Sequence, residues 1–569
     1  MQQTTPLDDA AASAPSVPHW RRWLDGRGAL LLLTIVLFAL AQLPDPQGHL
    51  STDVGGKTAT VEVILDDGWR NIDLGYWAED LDPDGSLYPM AHTSRNGDAW
   101  VNVTTLPMLY LAAPLVALGG MRHAILIPVL GAVMAAAGAR RLATMLGADA
   151  GQQRATFWLV GLASPATIYA LDFWEHTLGL GLMVWGAVGV LRASRVDAPP
   201  LWVPALSGFA FAAAASMRQE ALAYGFVAGA VLGITLLIAR RPLTAVFRSA
   251  AMVVGTSVGF AANVGLENAV FGTDRRSERS VNTAGRFGDD LGFRIREAIE
   301  SALAPMTGGT MVTYAVAFGL AACLGLLAWR ADRPREERRI LWYGLAAIST
   351  FVVLDLAIDG MRFIPGLLAT TPVAAFGAVR GWTRRDHRVV ALLAIAPLPL
   401  VWAVQYTGGV SAQWGGRYIM TTGTLLTVLA VVSCTSVQAR ATLCYVAAGA
   451  IAVTTIGIGW AIMRTHALAD VARHIADRPE DVIVFENASL GRETGPLVLD
   501  QTWLAASSPD KRAEAADLLD TIGVEEFVFV HYDDGRTDRD FPAWEIVAEE
   551  QLDLVNDLLL RITTWTPAS

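Results

Sequence analysis

Apolar residues in this chain arrive in runs of 16 to 23, separated by short stretches that carry arginine. A run of that length is what a helix needs to cross the hydrocarbon core of a bilayer. Lipid offers no partner for an open backbone N–H or C=O, so helices are the natural element for such runs. The pattern predicts thirteen spans, near 29–45, 122–140, 155–171, 177–192, 201–217, 220–239, 249–266, 309–329, 340–358, 361–379, 389–406, 417–435 and 441–463. Composition agrees: of 569 residues 53% are hydrophobic and 17% charged, against roughly 25% charged in a soluble domain. The first run follows His19-Trp20-Arg21-Arg22 but no small-residue cleavage site follows it, so it reads as an uncleaved first helix. The fold class expected is an all-α polytopic membrane protein of about 13 transmembrane helices with a small extracytoplasmic α/β C-terminal domain.

Orientation follows from arginine, which is retained on the cytoplasmic side. With the N-terminus inside, the inner segments hold 21 arginines and the short outer loops only Arg218, Arg362 and Arg417. An odd number of spans then puts the C-terminus outside. The division expected is a cytoplasmic tail 1–28, a transmembrane region 29–463 and an extracytoplasmic domain 464–569. A large outer loop covers 46–121 and a second covers 267–308, where Arg275-Arg-Ser-Glu-Arg279 precedes an amphipathic stretch at 287–304. Acid collects outside: residues 45–103 carry 11 Asp/Glu against three basic residues, and 464–569 carry 22 against nine. The formal charge of −11 therefore describes two external regions and argues against a nucleic-acid partner. Cys323, Cys434 and Cys444 fall within or beside apolar runs, which indicates neither a disulfide scaffold nor a thiolate metal site.

Within the last hundred residues, 481–486 and 525–532 read as strands, 508–522 as a helix opened by Pro509, and 541–562 as a closing helix. No phosphate loop, nucleophile elbow or metal-ligand spacing appears there. The domain is expected to act as a structural or acceptor-positioning cap.

Charge at the edge of a span is costly, so its position is informative. Asp53 and Lys57 lie just after the first span, Asp172, Glu175 and His176 in the turn between spans three and four, and Arg218 and Glu220 in the next outer turn. Asp355, Asp359 and Arg362 mark a later turn, and Arg417 lies in Trp414-Gly-Gly-Arg-Tyr418. Singly, each has a bland explanation: an arginine snorkels to headgroups, a Glu-His pair is a solvated turn, and a tryptophan joins the interfacial belt. Together they mark the outer side. Guanidinium forks there suit a lipid-linked phosphate, and an acidic neighbour suits deprotonation of a hydroxyl.

These residues and their layout resemble the GT-C superfamily of membrane glycosyltransferases. Asp53 stands where that family places an acidic catalytic residue, and Tyr88-Pro89 with Trp100-Val-Asn-Val-Thr-Thr-Leu-Pro-Met-Leu-Tyr110 looks like its second loop segment. Ser164-Pro165, Trp174-Glu-His176, Arg218-Gln-Glu220 and Trp414–Tyr418 are similar to recurring pieces of its bacterial members. Two departures stand out. Asp53 is followed by Val54-Gly55-Gly56 instead of a second acid, and the usual Pro-rich element is reduced to Leu106-Pro107. The resemblance implies an inverting hexosyl- or pentosyltransferase that moves a sugar from a polyprenyl-phosphate donor to a hydroxyl acceptor (glycan, lipid or protein) at the outer face. It implies Asp53 as general base. Lys57, Arg218, Arg362 and Arg417 would contact the donor phosphate, and Glu175, His176, Glu220, Trp100 and Asn102 the substrates. Some members use a divalent cation, for which the sequence shows no ligand cluster. Two other classes compete. A multi-span transporter or lipid flippase is kept alive by Pro365, Pro372, Pro397 and Pro399, and the other is a non-catalytic cell-envelope assembly protein.

Overall fold

The computed structural model describes residues 26–102, 105–195, 199–271, 291–302, 365–404, 414–533, 535, 539–553 and 559–568. Predicted spans 309–329 and 340–358, the beginning of 361–379, Cys323, Asp355, Asp359, Arg362 and the Arg275–Arg279 cluster lie outside the described residues.

Six described helices are long and apolar enough to cross a membrane: Met121–Met145, His176–Ser194, Glu220–Ile238, Pro242–Phe271, Arg385–Ala403 and Val437–Ala476. Four shorter apolar helices accompany them, at Arg27–Leu40, Leu106–Gly119, Trp202–Met217 and Arg417–Val432. The elements that matter for the site are α1 (Thr52–Asp66), α2 (Pro165–Tyr169), α3 (His176–Ser194), α4 (Trp202–Met217), α5 (Glu220–Ile238), α6 (Met420–Val432) and α7 (Val437–Ala476). They continue with α8 (Ala488–Glu493) and α9 (Pro509–Ile522).

Predicted span 155–171 is broken. The chain runs as a helix over Ala150–Leu162 and restarts at α2, where Ser164 Oγ accepts from the Ala166 N–H at 3.2 Å and Pro165 opens the new helix. Proline cannot continue the first helix but fits the start of a second. The last predicted span is longer than expected. α7 runs without interruption to Ala476, through the predicted domain border at 463/464.

The C-terminal region builds a five-stranded sheet from β3 (Val482–Phe485), β4 (Trp503–Ala505), β5 (Phe527–Tyr532), β6 (Trp544–Asp553) and β7 (Leu559–Pro567), in the order β4-β3-β5-β7-β6. A separate hairpin in the first loop supplies β1 (Thr93–Asn96) and β2 (Ala99–Asn102). Strands β3 and β5 pair in parallel, as the strand–helix–strand order predicts. Helix α9 begins at Pro509 and stops at Gly523, whose left-handed φ of +73° closes it. The closing helix predicted at 541–562 is not formed; β6 and β7 occupy that stretch as an antiparallel pair. β6 is the edge strand, and of its residues only Trp544 is buried, so it lacks the alternation that would announce a strand.

Two large cores result. One fills the helical region. The other joins Ala59 and Val63 of α1 and Leu74, Tyr76, Leu87, Tyr88 and Trp100 of the first loop to the sheet residues Phe485, Trp503, Phe527 and Trp565. Backbone bonds cross the same seam: the Ala91 N–H donates to Ala488 O at 2.9 Å, and the Ala505 N–H to Leu87 O at 2.8 Å. The first loop and the C-terminal domain are thus a single packed unit seated on the helices.

Candidate active site

Where that unit meets the helices, charged side chains from five separate stretches converge. Asp53 and Lys57 come from the first two turns of α1, Glu175 directly precedes α3, and Arg218 and Glu220 form the joint between α4 and α5. Arg417 occupies a 3₁₀ turn that leads directly into α6, and Arg492 comes from α8 of the C-terminal domain.

Two pairs of glycines permit this convergence. Gly415 and Gly416 have φ of +68° and +62°, a region that side chains rarely adopt, and the tight turn they make swings Arg417 inward. A Cβ on Gly55 would lie 1.8 Å from Arg492 O, and one on Gly56 would lie 2.2 Å from Asn102 Oδ1. Gly55 and Gly56 therefore make room for the C-terminal domain and the first-loop hairpin. Gly55→Ala is expected to cost about 1–3 kcal/mol through overpacking, read as a lowered Tm of the full chain in detergent.

The contacts form one thread. Lys57 Nζ is ion-paired to Glu175 Oε2, and Arg218 Nη1 reaches Glu175 Oε1 at 3.1 Å. Arg218 Nε also donates to Glu220 Oε1 at 3.0 Å. The guanidiniums of Arg218 and Arg417 lie 5.1 and 4.6 Å from the centre of the Tyr418 ring, within cation–π range. Arg417 donates to the Tyr418 hydroxyl and, at 3.2 Å, to Asp53 Oδ2. Arg492 donates to Asp53 Oδ1 at 3.0 Å and to Asn102 Oδ1 at 2.9 Å. Beside this thread His176 stacks on Tyr169 with ring centres 4.7 Å apart, and Tyr169 Oη donates to Trp414 O at 2.9 Å.

Exposure separates the roles. Lys57, Glu175, Arg218, Glu220, Arg417 and Arg492 have side chains no more than 6% exposed, whereas that of Asp53 is 32% exposed. Asp53 is the carboxylate a substrate can reach. Burial by itself would raise its pKa, but the guanidiniums of Arg492 and Arg417 and the Lys57 ammonium hold it well below the usual carboxylate range. Among the described residues four cations and three carboxylates meet in the thread. Arg417 Nε and both ring nitrogens of His176 are buried without a hydrogen-bond partner among the described residues. An apolar cavity of about 400 Å³ opens between Leu367, Phe376, Ile395, Trp402, Ile419 and Leu426, and Ile419 is two residues along the chain from Arg417.

Of the residues singled out in the sequence, the structure brings together Asp53, Lys57, Glu175, His176, Arg218, Glu220, Arg417 and Asn102. Trp100 stands apart, stacked on Tyr88 in the core shared by the first loop and the sheet, and is 1% exposed. Asn102 is fully buried and serves Arg492, its amide being anchored on Ala91 O at 3.0 Å and Thr93 Oγ1 at 2.8 Å. Sequence reasoning missed Arg492. Nothing distinguishes it locally from the other basic residues of a strongly charged domain. Among the described residues no group of three or more His, Cys, Asp or Glu is arranged to hold a metal ion.

No protein-family model matches the chain, and no curated protein matches it. Solved structures do. ArnT from Cupriavidus metallidurans bound to undecaprenyl phosphate is 13% identical, with 94% of this chain and 98% of that one covered at a TM-score of 0.44. The archaeal oligosaccharyltransferase AglB from Archaeoglobus fulgidus, in complex with an inhibitory peptide and a dolichol-phosphate, is 11% identical, with 89% and 70% covered and a TM-score of 0.42. The arabinofuranosyltransferase AftD from Mycobacteria is 14% identical, with 96% and 42% covered and a TM-score of 0.42. At these identities and TM-scores the likenesses assign no chemistry to this chain.

Proposed function

We propose that this protein is a membrane glycosyltransferase that moves a sugar from a polyprenyl-phosphate donor to a hydroxyl acceptor with inversion at the anomeric carbon. The observation that carries this reading is the set of buried guanidiniums beside a reachable carboxylate, at the junction of the helices and the external unit. Arg417 Nε is buried with no hydrogen-bond partner among the described residues, and a buried donor calls for an acceptor. A phosphate is the anion whose oxygens match the guanidinium fork. In the reaction the acceptor oxygen bonds to the anomeric carbon while the bond from that carbon to the donor phosphate breaks. Asp53 takes the hydroxyl proton, and Arg417 stabilises the charge that grows on the departing polyprenyl phosphate. Because the bond forms on the face opposite the one that breaks, a single displacement inverts the centre. Lys57 and Arg218 are already neutralised by Glu175 and Glu220, so they shape the phosphate site more than they charge it. His176 and Asn102 hold the walls, and Trp100 supports the outer core behind them. The cavity beside Ile419 suits the first apolar units of the lipid chain.

An extracytoplasmic site is favoured by where arginine lies at the opposite helix ends. α3 starts at the cluster and, about 28 Å further along, leads to Arg195, which pairs with Asp386 at 2.8 Å on the side where the inner arginines collect. Arg440 pairs with Asp149 on that side too, at 2.7 Å.

Mass spectrometry of lipid co-purified with the full chain is expected to find a polyprenyl phosphate. Recovery of bulk phospholipid alone, together with no transfer from any polyprenyl-phosphate sugar, would remove the transferase reading.

A further inference from the structure

The C-terminal domain places a guanidinium on the carboxylate proposed as the base, and the two arginines on that carboxylate have different supports. Arg492 is held through both terminal nitrogens by partners that are themselves anchored. Its two terminal nitrogens are committed to Asp53 and Asn102, and Asn102 is tied in turn to Ala91 and Thr93. Its helix is bound to the first loop through Ala488 and fills the space that Gly55 and Gly56 leave open. The neighbouring Glu493 accepts from Arg464 of α7 at 3.1 Å. Apart from Asp53, Arg417 is held by the hydroxyl and ring of its chain neighbour Tyr418, with no tie to the first loop or the C-terminal domain beyond Asp53 among the hydrogen bonds of the described residues.

We infer that Arg492 is a positioning residue that permanently anchors one oxygen of Asp53, while Arg417 masks the other oxygen until a donor phosphate draws Arg417 away. The second half rests on the transferase reading; the first does not. The physical consequence concerns base strength. A carboxylate shared by two guanidiniums is a poor proton acceptor, and one that keeps a single guanidinium is a better one with its free oxygen already oriented. The charged groups facing Asp53 are Arg492, Arg417 and Lys57, with Glu175 as the opposing carboxylate. Donor arrival would thus produce the base at the moment it is needed, and an empty site would hold a masked one. The C-terminal domain takes part in the chemistry as the fixed half of this arrangement.

The experiment is a pair of double-mutant cycles on thermal unfolding of the full chain in detergent, using Asp53→Asn, Arg492→Gln, Arg417→Gln and the two doubles. Each is measured with and without a polyprenyl monophosphate. Coupling between Asp53 and Arg492 is expected in both conditions, whereas coupling between Asp53 and Arg417 is expected only without the lipid. In transfer assays Arg492→Gln should move the acid limb of the kcat profile to higher pH by about 1–3 units. The sign follows because losing a neighbouring cation raises the pKa of Asp53, so protonation silences the base earlier as pH falls. Arg492→Lys should restore part of the shift, with the donor KM near the wild-type value. Absence of Asp53–Arg492 coupling, or loss of kcat by the same factor at every pH, would overturn the positioning role. Asp53–Arg417 coupling that persists while the lipid raises the wild-type Tm would overturn the unmasking. If the lipid neither raises Tm nor yields transfer, the transferase reading and the unmasking fall together. The lipid-free Asp53–Arg492 cycle still decides the anchor.

Discussion

Asp53→Asn is expected to lower kcat for sugar transfer by about 10²–10⁴-fold while the chain still inserts, folds and binds its donor lipid. The amide keeps the shape of the side chain and can still accept from one arginine, but it cannot take a proton from a hydroxyl. Its position makes the comparison clean: the side chain is the one member of the cluster open to a substrate, at 32% exposed. Transfer kinetics with a polyprenyl-phosphate sugar, run beside a Tm measurement, check this. The two readouts separate because the substitution also relaxes the hold of Arg417 and Arg492, which lowers stability somewhat but leaves the phosphate site cationic. A variant that turns over within a few-fold of the wild type would remove Asp53 from the mechanism and return the arginine cluster to a structural role. The pH dependence of the native protein points the same way. A carboxyl held below its ordinary pKa adds stability above the unfolded-state value, and that stability is lost as pH falls through the folded one. The stability gap between the wild type and the Asn variant should therefore narrow as pH falls, read as converging Tm values.

Much of this site is legible in the sequence for one physical reason. A charge at the end of an apolar helix is costly, so Glu175, Arg218, Glu220 and Arg417 declare themselves by their surroundings. The converse explains what was hidden. Arg492 sits in a domain with 22 acidic and nine basic residues, where an arginine is unremarkable until tertiary packing buries it. Which cation meets which carboxylate was equally hidden, because Lys57 and Glu175 are 118 residues apart and the pair exists only once α1 lies against the start of α3. Helices were readable from apolar runs, whereas the break at Ser164-Pro165 lies inside the predicted span 155–171 and is hidden by the apolar residues on both sides of it. The stretch 541–562 misled for the opposite reason: an exposed edge strand has no buried face to impose a period of two. Trp100 was chosen for its aromatic face, but a buried loop needs such faces for its own core, and Tyr76 and Tyr88 use it.

Glu175→Ala is expected to be the most damaging single change to stability. Its carboxylate, 2% exposed, lies between Lys57 and Arg218, whose side chains are 4% and 5% exposed. Removing it takes from Lys57 and Arg218 the carboxylate that both engage and costs about 3–5 kcal/mol, the usual penalty for stripping one partner from a buried pair. That is a large part of the total of about 5–15 kcal/mol that holds a typical native protein. Loss of folded protein after membrane extraction, or a sharply lowered Tm, would register it. Glu175→Gln should fall between, because the amide still accepts a hydrogen bond but neutralises nothing. A compensated variant separates charge from packing: Lys57→Met with Glu175→Leu removes one cation and one anion together and leaves Arg218 paired to Glu220 at 3.0 Å. It should recover most of the lost stability, since an apolar pair of similar volume often replaces a buried ion pair at little cost. If the compensated chain folds but transfers no sugar, the Lys57–Glu175 pair serves the reaction as well as the fold. If Glu175→Ala unfolds at the wild-type temperature, the two cations must reach water or another anion, and the closed ionic thread that frames the phosphate site does not exist as described.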